Sequence, residues 1–260
     1  MRLLGIGPRD VLALARHQRR VHDLRGPLLV TGMLAEQLAK ELSAGGDPTL
    51  VRTSGEPEAA GVFVSVVAGA ATAEDERLFR AATRAAVPIV AVQTAEPGRA
   101  VRLPYVLAED VVQVMPGRGF PVDEIADRIA AAVGDDAAPL AASLPVLRDA
   151  VVRRRATDAA VATAALAAVG AAKGPRLPVL ALAQARMLSD LTVASGSEPG
   201  GDGREAAQQL ALPLAAALGT GLVARELVRR APFRSRVLDA AVAGAATLAL
   251  GALFKRLPRI

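Results

Sequence analysis

The sequence predicts an α/β unit, built on a mostly parallel sheet with helices on both faces, followed by an all-α helical domain. Three observations carry this. Short, unbroken, Val-rich runs recur between residues 26 and 134 and alternate with helix-like segments, the pattern of strands covered on both faces. Beyond Gly134 the strand pattern stops, and residues 140–258 read as Ala/Leu-rich helices. Hydrophobic residues make up 52% of the 260-residue chain but aromatics only 2%. Ala, Val and Leu must therefore fill an interior large enough for two modest domains.

The elements follow in order. Residues 8–23 read as a helix with Pro8 in its first turn. Val11, Leu14, Ala15 and Val21 give it a partial apolar stripe, and Arg9, Arg16, Arg19 and Arg20 make the rest basic. Such a helix either packs on a neighbour with a solvated face or lies on a membrane surface. Residues 28–31 form a strand ending at Gly32, and a helix over 33–42 starts at once. Further strands are expected at 49–53, 62–67, 88–92 and 110–114, with helices over 73–86 and 122–133. Thr72, with Asp75 three residues on, is the start signal of the first of these two helices. The segment 135–139 marks the boundary, giving a basic N-terminal helix (1–25), an α/β domain (26–136) and a helical domain (137–260). Breaks in the helical part fall at 170–178, 195–203 and 231–232, the glycine-rich second being the clearest flexible loop.

Charge is unevenly spread. Residues 1–25 carry a net +4, residues 26–150 a net −7, and residues 225–260 a net +6. An acidic body between basic ends suits an anionic surface. A membrane fits better than nucleic acid, because no aromatic stacking platform accompanies the charge. The first ten residues lack the apolar core of a signal peptide, so a cytoplasmic start is expected. With no Cys, thiolate metal sites and disulfides are excluded. His17 and His22 are the only imidazoles, too few for a His-rich metal site.

The strand–glycine–helix junction at Thr31, Gly32 and Met33 stands where a nucleotide-binding α/β domain holds its phosphates. That task needs a longer glycine-rich loop, a Lys and a Ser or Thr for Mg²⁺. Here the loop is too short and no Gly-Lys-Ser/Thr follows. Glu74, Asp75, Glu76, Glu109 and Asp110 read as helix-start and loop charges rather than an acid/base pair. Gln184, on an apolar helix, reads as a structural amide before a ligand contact. Tyr105 is the only tyrosine and supports no mechanism alone.

This order of elements resembles an Era-like GTPase domain followed by a YcjF-type helical domain of unknown function. Residues 28–32 stand at the first motif's strand, and Val51-Arg52-Thr53-Ser54-Gly55 at the strand ending in Asp-Thr-Pro-Gly. Val90-Ala91-Val92-Gln93-Thr94-Ala95-Glu96 stands where Asn-Lys-x-Asp is expected. Leu177-Pro178, then Gln184, Met187, Leu188, Leu191 and Gly196, resemble the helical domain, with Ser195 where a tyrosine often precedes the glycine. The resemblance implies a P-loop-GTPase-like sheet, and the departures imply lost chemistry. Arg52 puts a cation where Mg²⁺ would bind, and Thr94 cannot cover a base as Lys does. Gln93 and Glu96 mimic the base-reading pair only in part.

The expectation is therefore a non-catalytic, pseudo-GTPase-like interaction protein at the cytoplasmic face of the membrane, with no cofactor and no bound metal. Its partner would be an anionic membrane surface or a membrane protein, with homo- or hetero-oligomers forming through the helical domain and no nucleic acid. Contact would fall on Arg229, Arg230, Arg234, Arg236, Lys255 and Arg256, which flank the apolar segment 237–254. One alternative is a residual nucleotide switch using Thr31, Gly32 and Glu96. The other is a small integral membrane protein with a cytoplasmic α/β domain; segments 156–172, 205–223 and 237–254 are the candidate spans, and the last comes nearest, though Asp239 and basic residues on both flanks argue against it.

Overall fold

The computed structural model describes residues 26–96, 101–169, 184, 186–188, 190–194 and 236–256. The chain divides into two compact units, one running from Asp23 to Val151 and the other containing Val152–Ile260. The expected N-terminal helix lies outside the described residues.

In the first unit, β1 (Leu28–Gly32), β2 (Val51–Arg52), β3 (Val62–Ala68), β4 (Ile89–Thr94) and β5 (Val111–Val114) form one sheet in the order β2-β1-β3-β4-β5. Every pairing is parallel. Side chains alternate between faces along each strand. Leu29, Phe63, Val67, Ile89 and Ala91 meet Phe79 and Ala82 of α2 (Ala73–Arg84) on one face. The Phe63 and Phe79 rings meet edge-on, centroids 6.0 Å apart. Leu28, Val30, Val64, Val90 and Val92 are fully buried on the other, where α1 (Ala35–Leu42) and α3 (Val122–Val133) pack against each other. The Val-rich runs are thus buried on both sides, as their lack of alternation implied.

Thr72 starts α2 as the sequence suggested: its hydroxyl accepts from the Asp75 N–H at 3.2 Å, and Asp75 Oδ2 accepts from the Thr72 N–H at 2.9 Å. Gly134, at φ 62, ends α3. The chain then continues through a 3₁₀ turn (Gly134–Asp136) into α4 (Ala137–Ser143), a second turn (Pro145–Leu147) and α5 (Arg148–Val169). Pro139 falls in the first turn of α4, where no N–H is required, so it does not break the helix. Ala138, Leu140, Ala141, Leu144 and Leu147 are buried. The Asp47 N–H donates to the Ser143 carbonyl at 3.1 Å. The Arg148 guanidinium caps α4 by donating to the carbonyls of Ala141 and Ala142 at 3.0 and 2.9 Å. These contacts extend the sheet-bearing unit beyond residue 136, through Val151.

In the second unit the described residues are helical: the later part of α5, residues 184, 186–188 and 190–194, and α6 (Arg236–Arg256). Ala156, Met187, Leu188 and Leu191 form an apolar cluster with Val152 and Ala159 beside it. Gly251 of α6 lies against Ala156, and Gly244 against Ala160 and Ala164. Helices α5 and α6 therefore run antiparallel. Among the described residues no helix is long and apolar enough to cross a membrane. That includes α6, which contains the segment 237–254.

Candidate functional site

In open α/β sheets, ligands bind outside the carboxyl ends of the strands where the strand order reverses. Here that point lies between β1 and β3. The chain passes β1, the sharp turn Met33–Leu34 and then α1, so this is also the junction singled out by sequence.

The turn is closed against the neighbouring strand. Gly32 sits at φ 91, and a Cβ on it would lie 2.1 Å from the Val66 carbonyl oxygen. The Met33 N–H donates to that same oxygen at 3.1 Å. A phosphate cradle needs free N–H groups fanned around an anion; here the first one past the strand is already used. Leu34 takes the left-handed conformation at φ 57 and precedes α1 without a side-chain cap. Met33 and Leu34 are 48% and 56% exposed. Two apolar side chains thus stand at the place where an anion would dock.

The hydroxyl of Thr31 is buried. It shares a face with Ser65, its register partner on β3. Among the described residues, neither hydroxyl has a hydrogen-bond partner. Both lie on the α2 side of the sheet, away from the start of α1. Glu96 is exposed beyond the end of β4, separated from β1 by β3, about 10 Å at the usual strand spacing. The three residues assigned to a residual nucleotide site therefore share an edge of the sheet but do not converge.

Gln93 has a role that the sequence did not reveal. It is fully buried, and its Nε2 donates to the carbonyls of Gly69 and Val101 at 2.6 and 2.8 Å. The amide ties the β3–α2 loop to the β4–β5 connection, and both of its N–H donors are consumed. Arg52 is exposed at the end of β2. Tyr105, at φ 64, accepts a hydrogen bond from Arg80 Nε at 3.2 Å, and the Arg80 guanidinium lies 5.5 Å from its ring centroid.

The carboxylate clusters have local partners. Arg77 holds Glu74 through hydrogen bonds of 2.8 and 2.9 Å, which keep its carboxyl below the usual range. Burial, with Glu109 beside it, raises the Asp110 carboxyl, and Arg128 offsets this in part. Among the described residues no group of His, Asp and Glu could hold a metal ion.

In the helical unit, Gln184 Nε2 donates to Thr247 Oγ1 at 3.0 Å, and the Thr163 and Thr247 hydroxyls lie 3.0 Å apart. Arg155 and Asp190 form a buried ion pair at 3.5 Å. Gln184 is thus an internal structural group. Of the basic contact residues, Arg229, Arg230 and Arg234 lie outside the described residues. Arg236 begins α6, and Lys255 and Arg256 end it, about 30 Å away along the helix.

The fold and this edge define an α/β protein with a five-stranded parallel sheet and a closed strand–helix turn at its switch point. Compared with known proteins, the chain matches no family model, no curated protein and no solved structure.

Proposed function

We propose that this chain is a non-catalytic interaction protein of GTPase-like ancestry, acting at the cytoplasmic face of a membrane. One observation carries the non-catalytic part: the Val66 carbonyl closes on Gly32 and takes the Met33 N–H, the first that a phosphate loop would offer. Burial of the Thr31 hydroxyl and of the Gln93 Nε2, whose two N–H groups are both used, supports it, since neither is open to Mg²⁺ or a base.

The membrane part rests on charge. An acidic body (−7 over residues 26–150) and a basic C-terminal segment (+6 over residues 225–260) would orient the chain on an anionic surface. Each basic residue close to such a surface contributes about 1 kcal/mol. A membrane protein presenting acidic groups would exploit the same charge. The test is co-sedimentation of the full chain with vesicles. Binding is expected to phosphatidylserine-containing vesicles, to weaken with salt, and to be much lower with pure phosphatidylcholine. Replacing Arg229, Arg230, Arg234 and Arg236 together by Gln should reduce it. Equal recovery in the supernatant with both vesicle types would refute the membrane reading.

A further inference from the structure

Half of the large apolar side chains that stand exposed among the described residues lie along one edge of the first unit, the carboxyl edge of its sheet. Met33 and Leu34 follow β1, and Met115 follows β5. Val101 sits over the end of β4, where its carbonyl accepts from Gln93. Their exposures run from 44% to 56%. Gly69, just past β3, has no side chain and open space about it. One exposed apolar residue needs no explanation; four along one edge form a surface. Leu34 adds an independent observation. It is held at φ 57, a conformation leucine rarely adopts, and outliers of this kind cluster at functional sites. A glycine would relieve the backbone there, but only a larger residue presents an apolar side chain.

The same edge is acidic. Helices α1, α2 and α3 each follow a strand and so begin on it. Their first turns carry Glu36, then Glu74, Asp75 and Glu76, then Asp123 and Glu124. Glu96 lies just past β4. The basic residues beside them are Arg52, Arg77, Arg102 and Arg118, of which Arg77 is bound to Glu74. Acidic first turns suit the helix dipoles. Three of them gathered around one apolar edge also present a negative rim, which attracts a basic partner and repels an acidic one.

We propose that this edge takes a basic amphipathic helix of a partner protein. Its apolar face would lie on Met33, Leu34, Val101 and Met115, and its Lys and Arg side chains among the surrounding carboxylates. From β1 to β5 the edge spans three strand spacings, about 14 Å. That is the length of about ten helical residues, enough for apolar anchors at i, i+3 or i+4, and i+7. Methionines adapt to the shape of such a face. The proposal rests on the reading of the chain as an interaction protein and names the partner's chemistry; it does not need the membrane part. A second copy docked edge to edge would bring the same acidic rim against this one.

Met1, Met33, Met115 and Met187 are the only methionines, so methyl-¹³C-methionine spectra of the full chain read the edge directly. The probe is a short synthetic Leu/Lys helix with Leu at i, i+3, i+4 and i+7, and the control is the same peptide with Glu for Lys. The Leu/Lys helix should shift Met33 and Met115 and leave Met187, buried in the second unit, unmoved. The Leu/Glu helix should shift none. Leu34→Gly should leave the fold at least as stable, because glycine accepts that φ, yet weaken binding about tenfold or more. Glu36→Gln with Glu124→Gln should weaken binding and its salt dependence. No shift at Met33 and Met115, an equal response to both peptides, or unchanged binding by Leu34→Gly would each overturn the proposal. Shifts at Met33 and Met115 on dilution without peptide, in a chain that light scattering shows to be dimeric, would assign the edge to a second copy and also overturn it. A saturable Met33 shift with Mg–GTP would instead remove the non-catalytic reading, so the two failures are distinguishable.

Discussion

Gly32 and Val66 are register partners on β1 and β3, and the Val66 carbonyl fills the space where a side chain on Gly32 would begin. The turn that leads into α1 is therefore held by the neighbouring strand instead of opening around a ligand.

Replacing this glycine should be severe. Gly32→Ala combines a backbone collision with a φ that alanine rarely adopts, and should cost about 3 kcal/mol or more. Gly69→Ala has a similar φ, 69, but open space around its Cβ, and should cost about 1 kcal/mol. Urea unfolding followed by circular dichroism would rank the two. Equal costs would mean that the close approach to Val66 is not what constrains the turn.

Gln93 offers a test of pH sense. Gln93→Leu removes two hydrogen bonds to Gly69 and Val101 and should cost about 1–3 kcal/mol. Gln93→Glu should be tolerated when protonated, because a carboxylic acid can still donate one hydrogen bond. Ionised, it would face two carbonyl oxygens. Its folded pKa would lie above its unfolded value, so stability would fall as pH rises through that interval. The loss of midpoint relative to the unsubstituted chain should be larger at pH 7 than at pH 4 for Gln93→Glu, and the same at both pH values for Gln93→Leu.

Asp110 follows the same sign in the native chain. Burial and Glu109 raise its carboxyl, so its ionisation destabilises the fold as pH rises from acid. Asp110→Asn should raise the melting temperature slightly at neutral pH and leave it nearly unchanged at acid pH. A loss at neutral pH would show that the Arg128 attraction prevails.

The two glycines of α6 should differ. A Cβ on Gly244 meets Ala160 and Ala164 atoms at 3.5 Å, ordinary contact, whereas one on Gly251 would lie 2.7 Å from the Ala156 Cβ. Gly244→Ala should be neutral or stabilising by up to about 1 kcal/mol through helix propensity. Gly251→Ala should destabilise by forcing α5 and α6 apart. Thermal melts of both variants decide it, and the reverse order would contradict the antiparallel packing.

Much of the sheet was legible because its signals are local. Val-rich runs give buried strands, and Thr72 with Asp75 gives a helix start whatever surrounds it. The extent of the first unit was not, because Pro139 reads as a break and only tertiary docking makes it the first turn of α4. The site was half legible. The sequence disclosed that a phosphate loop is missing, but not that the Val66 carbonyl closes the turn, since that depends on which strand lies beside β1. Gln93 resembles a remnant of base reading because only the fold brings the carbonyls of Gly69 and Val101 to its amide. Gln184 read correctly as structural, being a single amide on an apolar helix.

Closure of the switch point to nucleotide is decided by a thermal melt of the full chain with and without Mg–GTP and Mg–ATP. A ligand at a hundred times its dissociation constant stabilises by about 2.7 kcal/mol. No change in melting temperature is expected with either nucleotide at millimolar concentration. A reproducible rise of the midpoint that saturates with nucleotide and requires Mg²⁺ would contradict it.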